Sequence, residues 1–126
     1  MTLVHEASGA VLASKIERAV TVKARLIGLL GRDAFPAGEA LVLEPCSSIH
    51  TFFMRFPIDA AFLSDDGRVL KTYQSMKPWR ATRIHPSAAL VVELPAGTLA
   101  RTGTREGDRL AFLAGPALRR EDGRSI

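Results

Sequence analysis

The stretch that decides the fold is residues 58–73, IDAAFLSDDGRVLKTY. Two strand-like runs, residues 58–64 and 68–73, flank the dipeptide Asp66-Gly67. Both central positions of a tight hairpin turn tolerate a positive φ when Asp and Gly occupy them. The stretch therefore predicts a β-hairpin, and the rest of the chain is interpreted outward from it.

The segment just before the hairpin, residues 46–59, has the sequence CSSIHTFFMRFPID. Its alternation predicts a strand that is buried on both faces, with Pro57 breaking it before Ile58 because proline cannot donate to a ladder. One face would carry His50, Phe52, Met54 and Phe56, and the other Ile49, Thr51, Phe53 and Arg55. Buried polar groups need partners, so His50, Arg55 and Asp59 point to either a structural network or a site.

The flanking segments show short strands and few helical patterns. Thr21 is a suitable N-cap for a helix over residues 22–30 that ends at Gly31, and Gly103 should end a helical turn over residues 98–102. Strands are predicted at 3–6 and 11–19, paired across Ser8-Gly9, and at 40–43, 88–94 and 109–113. Residues 76–86 have no period of either kind and are predicted to form a long ordered loop.

These elements predict an α+β fold that is mostly β, a small closed or partly open β-barrel. No internal repeat and no linker divides the chain, so residues 1–116 are expected to form a single domain. Residues 117–126 are charged and lack apolar periodicity, which predicts a flexible C-terminal tail.

The composition places the chain among globular proteins. Of its 126 residues, 47% are hydrophobic and 24% are charged, far from the disordered and membrane classes. Cys46 is the single cysteine and excludes an internal disulfide, which is compatible with a reducing compartment. No apolar stretch approaches the roughly 18 residues of a membrane span, and the N-terminus lacks a secretory pattern. We therefore expect a cytoplasmic protein without a membrane partner.

Several motifs in fixed order resemble the DUF192 class of uncharacterised bacterial and archaeal proteins. They are Arg25 with the Gly-Leu-Leu-Gly-Arg run ending at Arg32, His50-Thr51-Phe52-Phe53-Met54 with Ile58-Asp59, Pro78-Trp79-Arg80, and Glu93-Leu94-Pro95-Ala96-Gly97 with Gly107-Asp108. The resemblance covers roughly residues 10 to 113. It implies a small, mostly β fold and no established activity.

A second resemblance lies at residues 103–113. There a Gly-Asp turn feeds an apolar strand, as in cradle-loop barrels, a group with DNA-binding, ligand-binding and enzymatic members. This similarity favours a cradle-loop-like barrel and leaves those three functions open.

The candidate site gathers polar residues that lie within apolar segments. Asp59 and Glu93 each lie on an otherwise apolar or small-residue strand, and Arg55 and Arg80 are the cations expected to pair with them. The candidate ligand-binding residues are His50, Thr51, Arg55, Asp59, Trp79, Arg80 and Glu93. They form either an ion-pair network that holds loop 76–86 or a pocket for an anionic or hydroxylated small molecule, with Trp79 as a flat wall.

Two other functions stay open beside this binding or accessory module. Cys46 and His50, with Asp59 or Glu93 as an orienting carboxylate, have the residue types of a hydrolase nucleophile and base. A basic loop at residues 71–83 interleaves Tyr73, Lys77, Trp79, Arg80 and Arg83 as nucleic-acid surfaces do, although the charges are few and we do not expect a nucleic-acid partner.

A metal site is not indicated. His50, His85, Asp59 and Glu93 are metal-ligating residue types, but they lack the spacing of known metal motifs. We therefore expect neither a metal nor another cofactor.

Overall fold

A computed structural model describes residues 1–114, apart from the side chains of Val22 and Leu26. The elements are β1 (Thr2–His5), β2 (Val11–Ala13), β3 (Lys15–Ala19), α1 (Val22–Ile27), β4 (Glu39–Leu43), β5 (Ile58–Leu63), β6 (Val69–Met76), β7 (Leu90–Pro95), α2 (Thr98–Thr102) and β8 (Leu110–Leu113). The predicted tail, residues 117–126, lies outside the described residues. None of the helices within residues 1–114 has the length and apolar character that crossing a membrane requires.

The strands form two sheets. The smaller has the order β2-β1-β8 and is antiparallel, and the larger has the order β3-β4-β7-β5-β6. In the larger sheet only β3 and β4 are parallel. The mostly β prediction is confirmed, but the closed barrel is not, because residues 1–114 form two sheets with separate strand orders.

The chain passes from one sheet to the other at Ser14. The predicted strand 11–19 is therefore two strands, of which β2 pairs with β1 and β3 pairs with β4. The amides of Ser14 and Lys15 both donate to the carbonyl oxygen of Gly38, at 2.9 and 3.1 Å. That three-centre contact redirects the backbone, and periodicity gave no sign of it.

The hairpin of residues 58–73 is confirmed as β5 and β6, which pair antiparallel. The Gly67 amide donates to the Ser64 carbonyl at 3.0 Å and closes the turn. Strand β6 continues to Met76, three residues beyond the predicted end. Its extension brings Ser75 beside Asp59 on β5, so that the Ser75 amide donates to the Asp59 carboxylate.

Both helical predictions are confirmed in position. Thr21 caps α1, since its Oγ1 accepts the Ala24 amide at 3.0 Å, but the helix ends at Gly28 rather than Gly31. Gly28 has a φ of +48°, and its amide donates to Ala24 O. Helix α2 spans residues 98–102 as predicted and ends at Gly103, which adopts the left-handed conformation.

Each face of the larger sheet buries its own apolar cluster. One face packs on the smaller sheet and α2, through Ala40, Val42, Ala61, Leu63, Leu90, Val92 and Leu94 against Leu3, Leu12, Leu99 and Leu110. The opposite face packs on the segments around α1 and residues 46–56, through Leu41, Leu43, Ile58, Ala60, Phe62 and Val91 against Leu29, Ile49 and Met54. Strands β4, β5 and β7 are thus covered on both sides.

The strand predicted for residues 49–56 is wrong. Only His50 makes a ladder contact there, an isolated bridge to Ala81, and the chain turns after Thr51, whose carbonyl accepts the Met54 amide at 3.2 Å. Phe53 has a φ of +66° and is 67% exposed, so neither face is a uniformly buried strand face. The backbone of this segment pairs with residues 77–82 instead of with a strand. Those residues belong to a loop that is distant in sequence, so local periodicity does not predict the pairing.

Gly67 provides a test of the hairpin. Its φ is +89°, and a Cβ atom there would lie 2.4 Å from the carbonyl oxygen of Leu110. We expect Gly67→Ala to lower the free energy of unfolding by about 3 kcal/mol, from strain and steric overlap together. Urea denaturation followed by circular dichroism measures the change.

Gly9→Ala is the matched control. Gly9 has a similar φ of +78° but nothing within 4 Å of its built Cβ atom. Strain alone should cost about 1 kcal/mol there. Equal losses for the two variants would contradict the close approach of Gly67 to β8.

Candidate functional site

A cavity of about 300 Å³ lies on the α1 side of the larger sheet. Strands β4 and β7 form its floor, and α1 and residues 46–54 form its walls. Its apolar lining is Ile27, Leu29, Leu30, Leu43, Ile49 and Met54, and its polar lining is Arg25, Cys46, Ser48, His50 and Glu93. Two of the predicted ligand-binding residues, His50 and Glu93, therefore share this cavity.

Glu93 is the most unusual group in the cavity. It lies on the central strand β7, is 2% exposed, and its Oε1 has no hydrogen-bond partner among the described residues. Burial raises the pKa of this carboxyl from 4.5 to about 8, because the charged form loses its hydration. At neutral pH Glu93 is therefore mostly a neutral carboxylic acid, able to donate one hydrogen bond and accept others.

Cys46 and His50 do not form a nucleophile and base. The Cys46 thiol donates to the Ser48 carbonyl at 3.1 Å, and His50 Nδ1 accepts the Phe52 amide at 3.2 Å. Burial raises the pKa of the Cys46 thiol, and the nearby Glu93 carboxyl acts in the same direction. A reactive thiolate requires the opposite shift, so this geometry does not activate Cys46.

Asp59 lies on the other face of the sheet. In β5 it alternates with Ile58 and Ala60, which join the cavity-side cluster. Its Oδ1 accepts the Ser75 amide at 2.8 Å, and its Oδ2 accepts the amides of Gly97 and Leu99 at 3.1 and 2.9 Å. Asp59 thus satisfies the start of α2, where no local side chain provides a cap. It and Glu93 do not meet.

The two predicted arginine partners lie elsewhere. Arg55 is exposed and pairs with Asp33. Arg80 is also exposed, and its Nη1 lies 3.5 Å from the carbonyl oxygens of Pro78 and Trp79. The expected arginine–carboxylate network is therefore wrong for residues 1–114. Asp59 and Glu93 are buried on the two faces of the larger sheet, whereas both arginines are exposed on loops.

Thr51 is fully buried and clamps two loops together. Its Oγ1 donates to Lys77 O at 2.6 Å and accepts the Arg80 amide at 2.9 Å. Its own amide donates to Arg80 O at 2.8 Å, and its carbonyl accepts the Trp79 amide at 3.0 Å. Thr51, Trp79 and Arg80 are thus brought together, but through backbone groups that hold the loops rather than face a ligand.

The clamp supports a cluster of rings that we call the aromatic platform, formed by His50, Phe52, Phe53 and Trp79. Ring centroids are 4.9 Å apart for His50 and Phe52, 6.1 Å for Phe52 and Trp79, and 4.6 Å for Phe53 and Trp79. His50 belongs to both the platform and the cavity lining. The sequence does not reveal the platform, because the alternation around Phe52 and Phe53 predicts a buried strand.

Tyr73 and His85 belong to a separate buried contact. The Tyr73 hydroxyl lies 2.8 Å from His85 Nε2, and Phe62 packs edge-on against both rings. Burial, with the cations Arg83 and Lys71, lowers the pKa of His85. Tyr73 is half-buried, and Lys71 Nζ lies 5.7 Å from the centroid of its ring. Within residues 1–114 no three His, Cys, Asp or Glu side chains form a group that could hold a metal ion.

A further cluster joins β1 to the turn before β8. His5 Nε2 lies 2.9 Å from Asp108 Oδ2, and His5 Nδ1 lies 3.1 Å from Ser8 Oγ. The hydrogen bond from His5 lowers the pKa of Asp108. These are the residue types of a serine hydrolase, yet Ser8 Oγ also accepts the Ala10 amide within the turn. The cluster therefore closes the β1–β2 turn, and no sequence motif signals it because the partners are 103 residues apart.

Comparison with known proteins identifies the family. The DUF192 family model, described as "Uncharacterized ACR", matches residues 3–112. The chain belongs to the DUF192 family. This confirms the resemblance carried by the motifs.

One protein resembles this DUF192 protein in sequence, and two solved structures resemble it in fold. UPF0127 protein TK1120 of Thermococcus kodakarensis is 27% identical over 114 residues, which cover 87% of this chain and 72% of that protein. A crystal structure of a candidate transcription regulator from Sinorhizobium meliloti matches with a TM-score of 0.73 and 26% identity, covering 87% of this chain and 89% of that one. A protein of unknown function from Novosphingobium aromaticivorans matches with a TM-score of 0.71 and 21% identity, covering 89% and 93%.

The buried carboxyl of Glu93 makes stability depend on pH. Between about pH 4.5 and 8 the Glu93 carboxyl is ionised in the unfolded chain but stays protonated in the folded DUF192 protein. The free energy of unfolding therefore falls as pH rises through this range. The loss amounts to several kcal/mol, on the order of 10 °C in Tm. We expect Glu93→Gln, which cannot ionise, to gain stability relative to the native protein between pH 5 and 8. Thermal unfolding of both proteins over this range measures it, and parallel Tm curves would contradict the raised pKa.

Asp59 should be structurally essential. An asparagine at this position would present an NH₂ group to amides that now donate to a carboxylate, so we expect Asp59→Asn to lower the free energy of unfolding by about 3 kcal/mol. Asp33→Asn is the control, since its carboxylate is exposed and pairs only with exposed Arg55. Urea denaturation compares the two. A small, equal effect of both substitutions would show that Asp59 does not hold α2.

Proposed function

We propose that this protein is a binding module for a small molecule with an apolar body and one hydroxyl or carboxylate group. The ligand would occupy the cavity between α1 and the larger sheet. The observation that carries the proposal is Glu93, a fully buried carboxyl whose Oε1 has no partner and which lines that cavity. A buried polar atom without a partner is costly, and a ligand would supply the missing hydrogen bond.

The lining matches such a ligand. Six apolar side chains surround the cavity, and polar groups occur at a few positions, which is the usual composition of a small-molecule pocket. The neutral Glu93 acid donates a hydrogen bond to a ligand oxygen at neutral pH. Arg25 lies in the same lining and adds a cation that favours an anionic group. The volume is at the lower end of ligand pockets, so the ligand would be small.

Binding is preferred to hydrolysis for a chemical reason. The Cys46 thiol has a raised pKa and donates to Ser48, and His50 Nδ1 is occupied by the Phe52 amide. Neither group is prepared to attack a substrate or to remove a proton from the other. The cavity recognises polar groups without the elements of a nucleophilic mechanism.

Three six-carbon probes test the proposal: hexanoate, hexan-1-ol and hexylamine. ¹H–¹⁵N correlation spectra at pH 6.5 should show hexanoate and hexanol shifting the amides of residues 28–30, 46–50 and 93. Hexylammonium should bind at least about tenfold more weakly, because it offers no acceptor to Glu93 and is repelled by Arg25. Equal binding of all three probes, or shifts outside this region, would contradict the proposal.

Two Glu93 variants separate hydrogen bonding from packing. The native protein should lose hexanoate above pH 8, where Glu93 ionises. Glu93→Gln keeps an N–H donor, so it should retain hexanoate binding and should not show that loss. Glu93→Leu keeps the volume and should weaken hexanoate by about tenfold or more, since one hydrogen bond to a charged group is lost. The native carboxyl has no partner to leave behind, so the fold should tolerate leucine. Unchanged hexanoate binding in Glu93→Leu would show that the ligand does not meet this residue.

A further inference from the structure

Large apolar side chains are exposed together at the aromatic platform and the loop beside it. Phe53 is 67% exposed, Trp79 57% and Phe52 39%, and Ile84 in the same loop as Trp79 is 64% exposed. Isolated exposed apolar residues are ordinary, whereas a contiguous group of this size marks an interaction surface. The ring contacts within the platform make it contiguous.

The platform is held rigidly in a disfavoured backbone conformation. Phe53 and Trp79 have φ values of 66° and 67°, in the left-handed region that bulky residues rarely occupy. The buried clamp around Thr51 ties both loops to each other. The Ile49 amide also donates to Thr82 Oγ1, and the Thr82 amide donates to the Ile49 carbonyl oxygen. Such strain persists only where the surroundings impose it, and it concentrates at functional sites. The rings are therefore oriented outward before any partner arrives.

The charge beside the platform has one sign. Lys77, Arg80 and Arg83 are exposed on the same loop as Trp79, and none of them pairs with a carboxylate of residues 1–114. The whole chain carries a net charge of +4. An occupant of this surface must therefore be anionic as well as able to cover apolar rings.

The packing of the rings decides among anionic partners. Phe52 and Phe53 both contact Trp79, and His50 stacks on Phe52, so the rings pack against one another. Single-stranded nucleic acid binds by stacking successive bases on ring faces, whereas the two most exposed rings of the platform, Phe53 and Trp79, are tilted by 60° to each other. A block of Trp, Phe and Ile flanked by Lys and Arg is instead the composition that sits at a bilayer interface.

We infer that the aromatic platform docks on the surface of an anionic lipid bilayer. Phe52, Phe53 and Trp79 enter the headgroup region, and Lys77, Arg80 and Arg83 face the lipid phosphates. The expectation of no membrane partner depended on the lack of a spanning segment, which peripheral docking does not require. Each contribution alone is weak, and peripheral attachment requires both an apolar and an electrostatic part.

Vesicle sedimentation tests this inference with the full chain. Vesicles of phosphatidylcholine with phosphatidylglycerol at about 7:3 should sediment the protein at low salt, and pure phosphatidylcholine should sediment much less. Binding should weaken as NaCl rises, because the electrostatic part is screened. Equal sedimentation by both vesicle types, or none by either, overturns the inference.

Asparagine substitutions remove the rings while sparing the backbone. Asparagine tolerates a positive φ better than most residues, so Phe53→Asn and Trp79→Asn should fold normally. The double variant should lose about tenfold or more of its partition onto anionic vesicles. Val11→Thr is the control, since Val11 is 48% exposed but lies on β2 of the smaller sheet. Equal loss in the control would overturn the assignment to the platform.

Charge variants test the second contribution. Replacing Lys77, Arg80 and Arg83 by glutamine should abolish the preference for anionic vesicles. The control replaces Arg68, Arg101 and Arg105 by glutamine, which removes the same net charge elsewhere, and it should keep most of the binding. A mixed-sequence single-stranded oligonucleotide is tested in parallel. Oligonucleotide binding that requires Phe53 and Trp79, without vesicle binding, would overturn the inference in favour of a nucleic-acid surface.

Discussion

The register of the central strand β7 is the constraint on which the rest of the structure depends. Hydrogen bonds to β4 on one side and β5 on the other fix which face each side chain occupies. Leu90, Val92 and Leu94 pack toward the smaller sheet, and Val91 packs toward the α1 side. Glu93 shares the face of Val91, and a slip of one residue would reverse the whole apolar set. The apolar residues of β7 therefore impose the burial of Glu93.

Two buried carboxyls in this fold have opposite surroundings. Asp59 accepts three backbone amides and so connects β5, β6 and the start of α2. Glu93, on the other face, leaves Oε1 without a partner, and burial raises its pKa to about 8. The first arrangement compensates for burial within the protein and is structural. The second leaves hydrogen-bonding capacity inside a cavity, which is why the proposed ligand is placed at Glu93.

Thr51 organises the part of the surface that lies beside this cavity. One buried hydroxyl and its backbone groups join two loops whose contacting residues are 26 and 29 positions apart in sequence. The same contact holds Phe53 and Trp79 outward with positive φ values. Because His50 contributes to both the cavity lining and the platform, a small ligand and a lipid surface would meet this protein at neighbouring places.

Local patterns by themselves determined much of the fold. The Asp66-Gly67 turn, the Thr21 cap and the helical turn ended by Gly103 depend on residues close in sequence, and each was predicted correctly. The motifs also indicated the family, whose model matches residues 3–112. Glu93 and His50 could be named as site candidates because polar residues stand out in apolar segments.

Only the tertiary structure decided where those candidates point. Asp59 and Glu93 look alike in sequence, yet the register of β5 against β7 places them on opposite faces of the sheet. The apolar segment 49–56 pairs with a loop instead of a strand and exposes Phe52 and Phe53, since its backbone partners lie some 30 residues away. Alternation in sequence states which side chains share a face, but which face is covered depends on what the folded chain packs against it.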